Sequence, residues 1–297
     1  MFKGMNGIAF GKKFTTNEDC FHYLMEIKWK EGYKCYKCEH DQYGKGRMYY
    51  YRRCKKCGYD ESVLAHTVFH DMKVPVLKAF HMVFRIVTKK KGISSVELAS
   101  EVGVEQKTAW LFKRKIQQTM LQSEGGFQLQ HKVVCDETLV GGGRKGSYGR
   151  THKQKSIAFV AIEKLSDGRT GNIAIEPLEN FKLENMLAAV KKNVSTQALL
   201  YADDYTTNRG IKKRRGDMEI VMSRGSDFFE EIHKQIMMFK IWLSGIHHKC
   251  SKQNLKAYAA EYQFRFNRRN QREWIFHNLL RCVLAFKPCP YSMVKIK

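Results

Sequence analysis

Acidic residues are scarce in this chain: 29 Asp and Glu stand against 53 Lys and Arg, a formal net charge of +24 over 297 residues. Self-repulsion of that size is tolerated in a folded chain when a polyanion is the partner. The alternative is a basic protein with no role on nucleic acid. Prolines number only four, and no Gly/Ser-rich linker, internal repeat or low-complexity segment is present, so domains must join through short connections. No run of about 18 apolar residues occurs, which excludes a membrane-spanning helix. The N-terminal stretch also lacks an apolar core of signal-peptide length, which places the expected chain in the cytoplasm, at the nucleoid. What is present is enough to pack. Hydrophobic residues make up 43% and aromatics 12% of the sequence, which excludes wholesale disorder. The length suits two or three domains.

The nine cysteines are an odd number, and four of them form two close pairs. In a reducing compartment that arrangement favours metal over disulfides. Cys35-Tyr-Lys-Cys38 and Cys54-Lys-Lys-Cys57 have the spacing of a four-cysteine zinc site, with two thiolates on one side of each tight turn. Strands between the knuckles, around residues 47–53, would bring the second back to the first. A closed four-coordinate ion is structural rather than catalytic. Lys37, Lys55 and Lys56 lie inside the knuckles, where they can meet phosphates. The remaining thiols are scattered and read as small buried hydrophobes.

Residues 74–121 carry an apolar repeat near 3.6: Val76, Leu77, Phe80, Val83, Phe84, Ile86 and Val87. From Gly92 to Trp110 the pattern reads as helix, tight turn at Gly103, helix. Ser94 or Ser95 can cap the first helix, with Glu97 near the position that completes a capping box. The second helix is expected to carry Lys107, Lys113, Arg114 and Lys115 on its surface. A short helix, a glycine turn and a basic second helix make the helix-turn-helix pattern of DNA readers, although an ordinary helical hairpin has the same outline.

From residue 131 the period becomes strand-like. The runs 131–140, 156–162, 171–176, 198–204 and 219–222 read as strands, and the first ends at a glycine run from Gly141. Helices are expected over 183–194 and 228–243. The order strand, strand, strand, helix, strand, strand, helix is that of a ribonuclease-H-like nuclease core. Asp136 and Asp203 are carboxylates set in apolar strands, where a lone buried charge costs several kcal/mol. Brought together around Mg²⁺ or Mn²⁺ they would compensate each other, and two such ions could serve an in-line displacement at phosphorus. On the last helix Glu230, His233 and Lys240 share a face, while Phe229, Ile232, Ile236 and Phe239 can face the core. A Glu or His there can bind metal, and Lys240 can hold a phosphate.

At this point the chain resembles the bacterial insertion-sequence DDE transposases of the ISXO-two-like type, to which the Merlin elements are related. The resemblance rests on Tyr51-Arg-Arg-Cys-Lys-Lys-Cys-Gly58, Thr67-Val-Phe-His70, Lys107-Thr-Ala-Trp110, Cys135-Asp-Glu-Thr138 with Gly141-Gly142, Tyr201-Ala-Asp-Asp-Tyr205, the stretch 240–248 and Glu261 to Arg269. These span about residues 20–285 in the family's order. It implies an α+β multidomain chain with a zinc ribbon and N-terminal helix (1–66), a helix-turn-helix segment (67–125) and a ribonuclease-H-like catalytic domain with a mixed sheet and C-terminal helices (126–297). Asp136 and Asp203 match the two family aspartates. The third position varies in the family, and the gap before Lys240 points to His233, with Glu230 one turn away as the nearest carboxylate. Glu261, Arg265 and Arg268 match a motif near the end of the domain and suit an internal salt bridge or the DNA backbone.

The function so implied is a Mg²⁺- or Mn²⁺-dependent transposase with structural Zn²⁺. Its expected partners are double-stranded transposon ends, target DNA and further copies of itself, as a homodimer or higher oligomer on DNA. A catalytically dead, domesticated DNA-binding regulator is the alternative, and a ribonuclease-H-like nuclease without strand transfer is a third reading.

Overall fold

The computed structural model describes residues 1–141, 155–222, 227–247 and 250–294. The glycines after Gly141 and the motif residue His248 lie outside them. Two compact units form, one from Met1–Gln122 with Asn270–Lys297 and the other from Ser123–Arg269.

The first unit begins with α1 (Gly7–Lys13) and α2 (Asn17–Lys28). Thr16 and Asp19 close a reciprocal capping box that fixes where α2 starts. Strands β1 (Tyr43–Lys45), β2 (Tyr51–Cys54) and β3 (Asp60–Ser62) form an antiparallel sheet in that order. Then come α3 (Val76–Thr88), α4 (Ser95–Val102) and α5 (Gln106–Glu124). The α3 helix buries almost its whole apolar face, as its 3.6 repeat requires. After the second unit the chain returns as α10 (Ile275–Ala285) and α11 (Tyr291–Val294). The C-terminal segment from Asn270, with α10 and α11, thus belongs to the first compact unit. The reason is apolar complementarity: Phe276 of α10 meets Phe2, Phe10, Phe14, Phe80 and Phe84 with ring centroids 5.3–6.0 Å apart. Removing such a buried ring typically costs about 3–5 kcal/mol.

In the second unit β4 (Lys132–Val140), β5 (Ser156–Lys164) and β6 (Thr170–Leu178) make an antiparallel meander. Helix α6 (Leu183–Asn193) then carries the chain to β7 (Leu199–Asp203), which lies parallel to β4. Helix α7 (Thr206–Arg215) leads to β8 (Met218–Val221), parallel to β7. The sheet order is β6-β5-β4-β7-β8. A turn of 3-10 helix introduces α8 (Glu230–Ile246), and α9 (Lys252–Asn267) follows. This mixed sheet and its strand order are the ribonuclease-H-like topology expected. One element was not expected: α7 carries Ile211 as its one buried apolar side chain, so its sequence shows no helical stripe. It packs on α6 through Gly210, where an added Cβ would come within 2.8 Å of Leu183.

The sheet is buried on both faces. Val133, Cys135, Leu200 and Ala202 pack with Met186, Val190 and Ile211 of α6 and α7. Val134, Val160 and Ile162 pack with Ile232, Phe239, Leu255 and Ala259 of α8 and α9. The β6 edge is covered by side-chain amides. Asn267 Oδ1 accepts from Ile173 N at 2.8 Å, its Nδ2 donates to Ile173 O at 3.1 Å, and Gln263 Oε1 accepts from Ile175 N at 3.1 Å. These bonds satisfy edge groups of β6 that a neighbouring strand would otherwise pair.

Candidate functional site

Alternation along the strands decides where the carboxylates point. Cys135 and Ala202 belong to the core under α6 and α7, so Asp136 and Asp203, their neighbours, project from the opposite face, toward α8. The parallel ladder ends with Val134 opposite Tyr201, and Asp136 and Asp203 each lie two residues beyond that pair, on the same face. From α8, His233 Nε2 comes within 3.3 Å of Asp136 Oδ2. Phe229, Ile232, Ile236 and Phe239 are buried as expected, and this orients the helix. Lys240 is exposed; desolvation of its ammonium lowers its pKa, with Asp136 acting in the opposite direction. Glu230 is exposed in the first turn of α8 and makes no ion pair among the described residues. Its neighbour Glu231 is turned aside to accept from Thr170 Oγ1 and Gln235 Nε2, both at 2.7 Å.

Asp203 and Asp204 have different surroundings. Asp204 is held by Arg209 through two 2.6 Å hydrogen bonds, which lower its pKa. Asp203 Oδ1 accepts from Asn208 Nδ2 at 2.8 Å, and the same amide reaches Asp203 O at 3.3 Å. Asn208 is 1% exposed, and its own Oδ1 has no hydrogen-bond partner among the described residues. Sequence gave no signal for this residue, because it sits five positions after Asp203 on the helix that shows no apolar stripe. For a divalent ion, the donor set fits in kind: two half-exposed carboxylates on one face of the sheet, with hard oxygen donors.

Among the described residues the four cysteines are the one group of three or more ligating side chains whose donor atoms all lie within 4.8 Å of one another. Cys35 and Cys57 Sγ are 3.5 Å apart, and Cys38 and Cys54 Sγ are 3.6 Å apart. Four thiolates around Zn²⁺ at about 2.3 Å would be about 3.8 Å from each other, so the cluster fits that ion. Each knuckle closes on a left-handed residue, Glu39 with φ 59° and Gly58 with φ 69°. Burial tends to raise the Cys35 pKa, but hydrogen bonds from the backbone of Cys38 and Lys37 bring it down to about 6. Lys37, Lys55 and Lys56 are exposed.

In the first unit α4, a tight turn and α5 follow one another over residues 95–124. Gly103, at φ 67° and ψ 54°, ends α4 in the left-handed region that favours glycine, and Lys78 Nζ donates to its carbonyl at 2.6 Å. Ser94 is the N-cap and accepts from Glu97 N at 3.1 Å. The box is only half closed, because Glu97 accepts from Lys89 Nζ at 2.8 Å instead.

The basic face of α5 is smaller than expected. Lys107 is exposed and Lys115 half-buried. Lys113 and Arg114 are not at the surface: they are 3% and 9% exposed. Lys113 Nζ donates to Ile93 O at 2.6 Å, and Arg114 Nη1 donates to Gln117 Oε1 at 3.3 Å. The long stems lie along the core side of α5, where their heads find internal acceptors. Arg268 is likewise held inside, against Glu124 at 2.6 Å and over the Phe264 ring at 3.7 Å. Arg265 lies 4.0 Å from the fully buried Glu261. Both arginines thus take part in internal ion pairs. Glu124, at the end of α5, was not singled out from sequence.

The strand order and the mixed sheet are those of a ribonuclease-H-like fold. Residues 128–267 match the model of the ISXO2-like transposase domain family. Solved structures similar to the chain include the pre-cleavage Mos1 transpososome (11% identity, 68% of this chain and 76% of that chain covered, TM-score 0.30). The Mos1 mariner paired end complex with Mn is another (12% identity, 72% and 78% covered, TM-score 0.29). The chain matches no curated protein. No described helix is long and apolar enough to cross a membrane.

Proposed function

We propose that the chain is a DNA transposase that binds transposon ends and carries out metal-dependent strand cleavage and strand transfer. What supports this reading is the match to a transposase domain model, with Asp136 and Asp203 two residues beyond the last paired residues of adjacent parallel strands and His233 against Asp136. Asp136 and Asp203 would hold Mg²⁺ or Mn²⁺. His233 is favoured as the third group over Glu230, since its ring already touches Asp136. Those residues would hold a divalent ion whose chemistry, when bound, would be to polarise the phosphodiester and lower the pKa of the attacking hydroxyl.

The chain's own groups do the rest. Asn208 fixes the Asp203 carboxylate in one orientation, as supporting amides do around metal ligands. Lys240 presents a cation beside Asp136 that can hold a phosphate oxygen. The four knuckle cysteines would hold Zn²⁺ and so stabilise the ribbon. DNA phosphates would be met by Lys107, Lys115 and the knuckle lysines. Lys113, Arg114, Arg265 and Arg268 would act by holding the helices in place. The working form would be a homodimer or higher oligomer on paired ends.

The test is to incubate purified protein with its element's ends, Mg²⁺ or Mn²⁺ and a supercoiled target. Joining of 3′-OH ends into the target is the expected result. Cleavage without joining would leave a nuclease. End binding without cleavage would leave the regulator reading.

A further inference from the structure

The zinc ribbon carries a stack of rings whose outermost face is open. Tyr36, inside the first knuckle, is 62% exposed. Its inner face lies on His66 with centroids 3.6 Å apart and planes 10° from parallel. His66 in turn runs parallel to His70, 6.0 Å away and also at 10°. The imidazole is pinned from the side, with Tyr59 Oη 2.7 Å from His66 Nε2. His66 adopts φ 63°, a left-handed conformation that a non-glycine residue adopts at some cost and that is retained where surrounding contacts over-determine it.

The result is a preorganised aromatic plane, held from behind and from the side, with one π-face toward solvent. Exposed cations flank it in sequence: Lys34 and Lys37 on the same knuckle, and Lys55 and Lys56 on the other. Lys37 Nζ lies 4.9 Å over the Tyr59 ring. Tyr59 and His70 also line a cleft of about 650 Å³ whose walls include Arg47, Tyr51 and Lys73. The stack therefore leads into a recess lined by both aromatic and basic side chains.

A backed, open tyrosine plane among phosphate-binding cations is what single-stranded nucleic acid recognises, because every base has a π-face to stack. Paired duplex bases expose only their edges and phosphates, and cannot use it. We propose that Tyr36 is a stacking platform for an unpaired DNA base, so that the ribbon binds a DNA segment with a free or frayed strand as well as duplex. The proposal deepens the transposase reading and rests on its DNA-binding part.

The experiment measures binding of the full chain to a mixed-sequence single strand of about 12 nucleotides and to the matching duplex. Tyr36→Leu, which keeps apolar bulk over His66 but has no π-face, should weaken single-strand binding by about 5- to 100-fold. Tyr36→Phe should bind like wild type. Duplex affinity and zinc content should be unchanged in both variants. Equal losses on both DNAs, or single-strand affinity unchanged in Tyr36→Leu, would overturn the platform. Wild-type protein that binds duplex but no single strand overturns it alone, and protein that binds neither removes the transposase reading with it.

Discussion

Replacing Asn208 by Ala removes one buried amide and nothing that touches DNA. In the wild type that amide donates to Asp203 Oδ1 at 2.8 Å. A hydrogen bond to an ionised acceptor contributes about 1.5–3 kcal/mol, and most of it here fixes the carboxylate's rotation. Loss of stability should fall at the low end, because the unpartnered Asn208 Oδ1 disappears in the same substitution. The carboxylate itself is then free to turn, and supporting residues of this kind typically carry about 10- to 100-fold in metal affinity. The assay is calorimetric titration of Mn²⁺ into the protein without DNA, with thermal unfolding as the control for fold. Weakened Mn²⁺ binding at nearly constant unfolding temperature is the expected result. A dissociation constant within about twofold of wild type, where a supporting amide should matter, would refute the orienting role and weaken the assignment of Asp203 as a ligand.

Cys54→Ser should release zinc and unfold the ribbon while the far-ultraviolet signal of the second unit persists, and retention of a full zinc equivalent would contradict the four-thiolate site. Lys113→Met should lower stability, since Ile93 O loses its buried donor, whereas Lys107→Ala should leave unfolding unchanged and flatten the salt dependence of duplex binding by about one unit of slope; reversed effects would contradict the burial. The pH dependence of the first unit has a definite sign. Burial and then Arg281 hold the His277 pKa below its ordinary 6.5, so the unfolded chain binds more protons in the window below 6.5 and stability falls as pH drops through it. His277→Gln, which cannot titrate there, should flatten that loss in acid unfolding curves.

The parts of this molecule legible in sequence are those where one residue type answers one physical demand. Paired Cys-x2-Cys spacing marks the thiolate cluster, and glycine at 103 marks the left-handed turn between α4 and α5. Short apolar, β-rich runs mark β4, β5 and β6, and a carboxylate interrupting such a run marks Asp136. Charge is less legible, because a lysine's number says nothing about where its head goes. Lys113 and Arg114 look like a basic surface on a helical projection, yet they find carbonyl and amide acceptors on the buried side. Helix α7 escaped because packing on α6 needs only Gly210 and Ile211, too few positions to make a period. Asn208 escaped with it. The return of α10 to the first unit depends on a ring cluster drawn from both ends of the chain, which no local pattern reveals.

The central claim is that Asp136 and Asp203 act together at one metal-dependent site. It is tested most directly by comparing end cleavage and end binding for wild type, Asp136→Ala and Asp203→Ala in the presence of Mg²⁺ or Mn²⁺. Both variants should lose cleavage by orders of magnitude, as removal of an ion's ligand does. Both should bind ends as tightly as wild type, or slightly more tightly, since a negative charge near phosphate is removed. Undiminished cleavage by either variant would contradict the account.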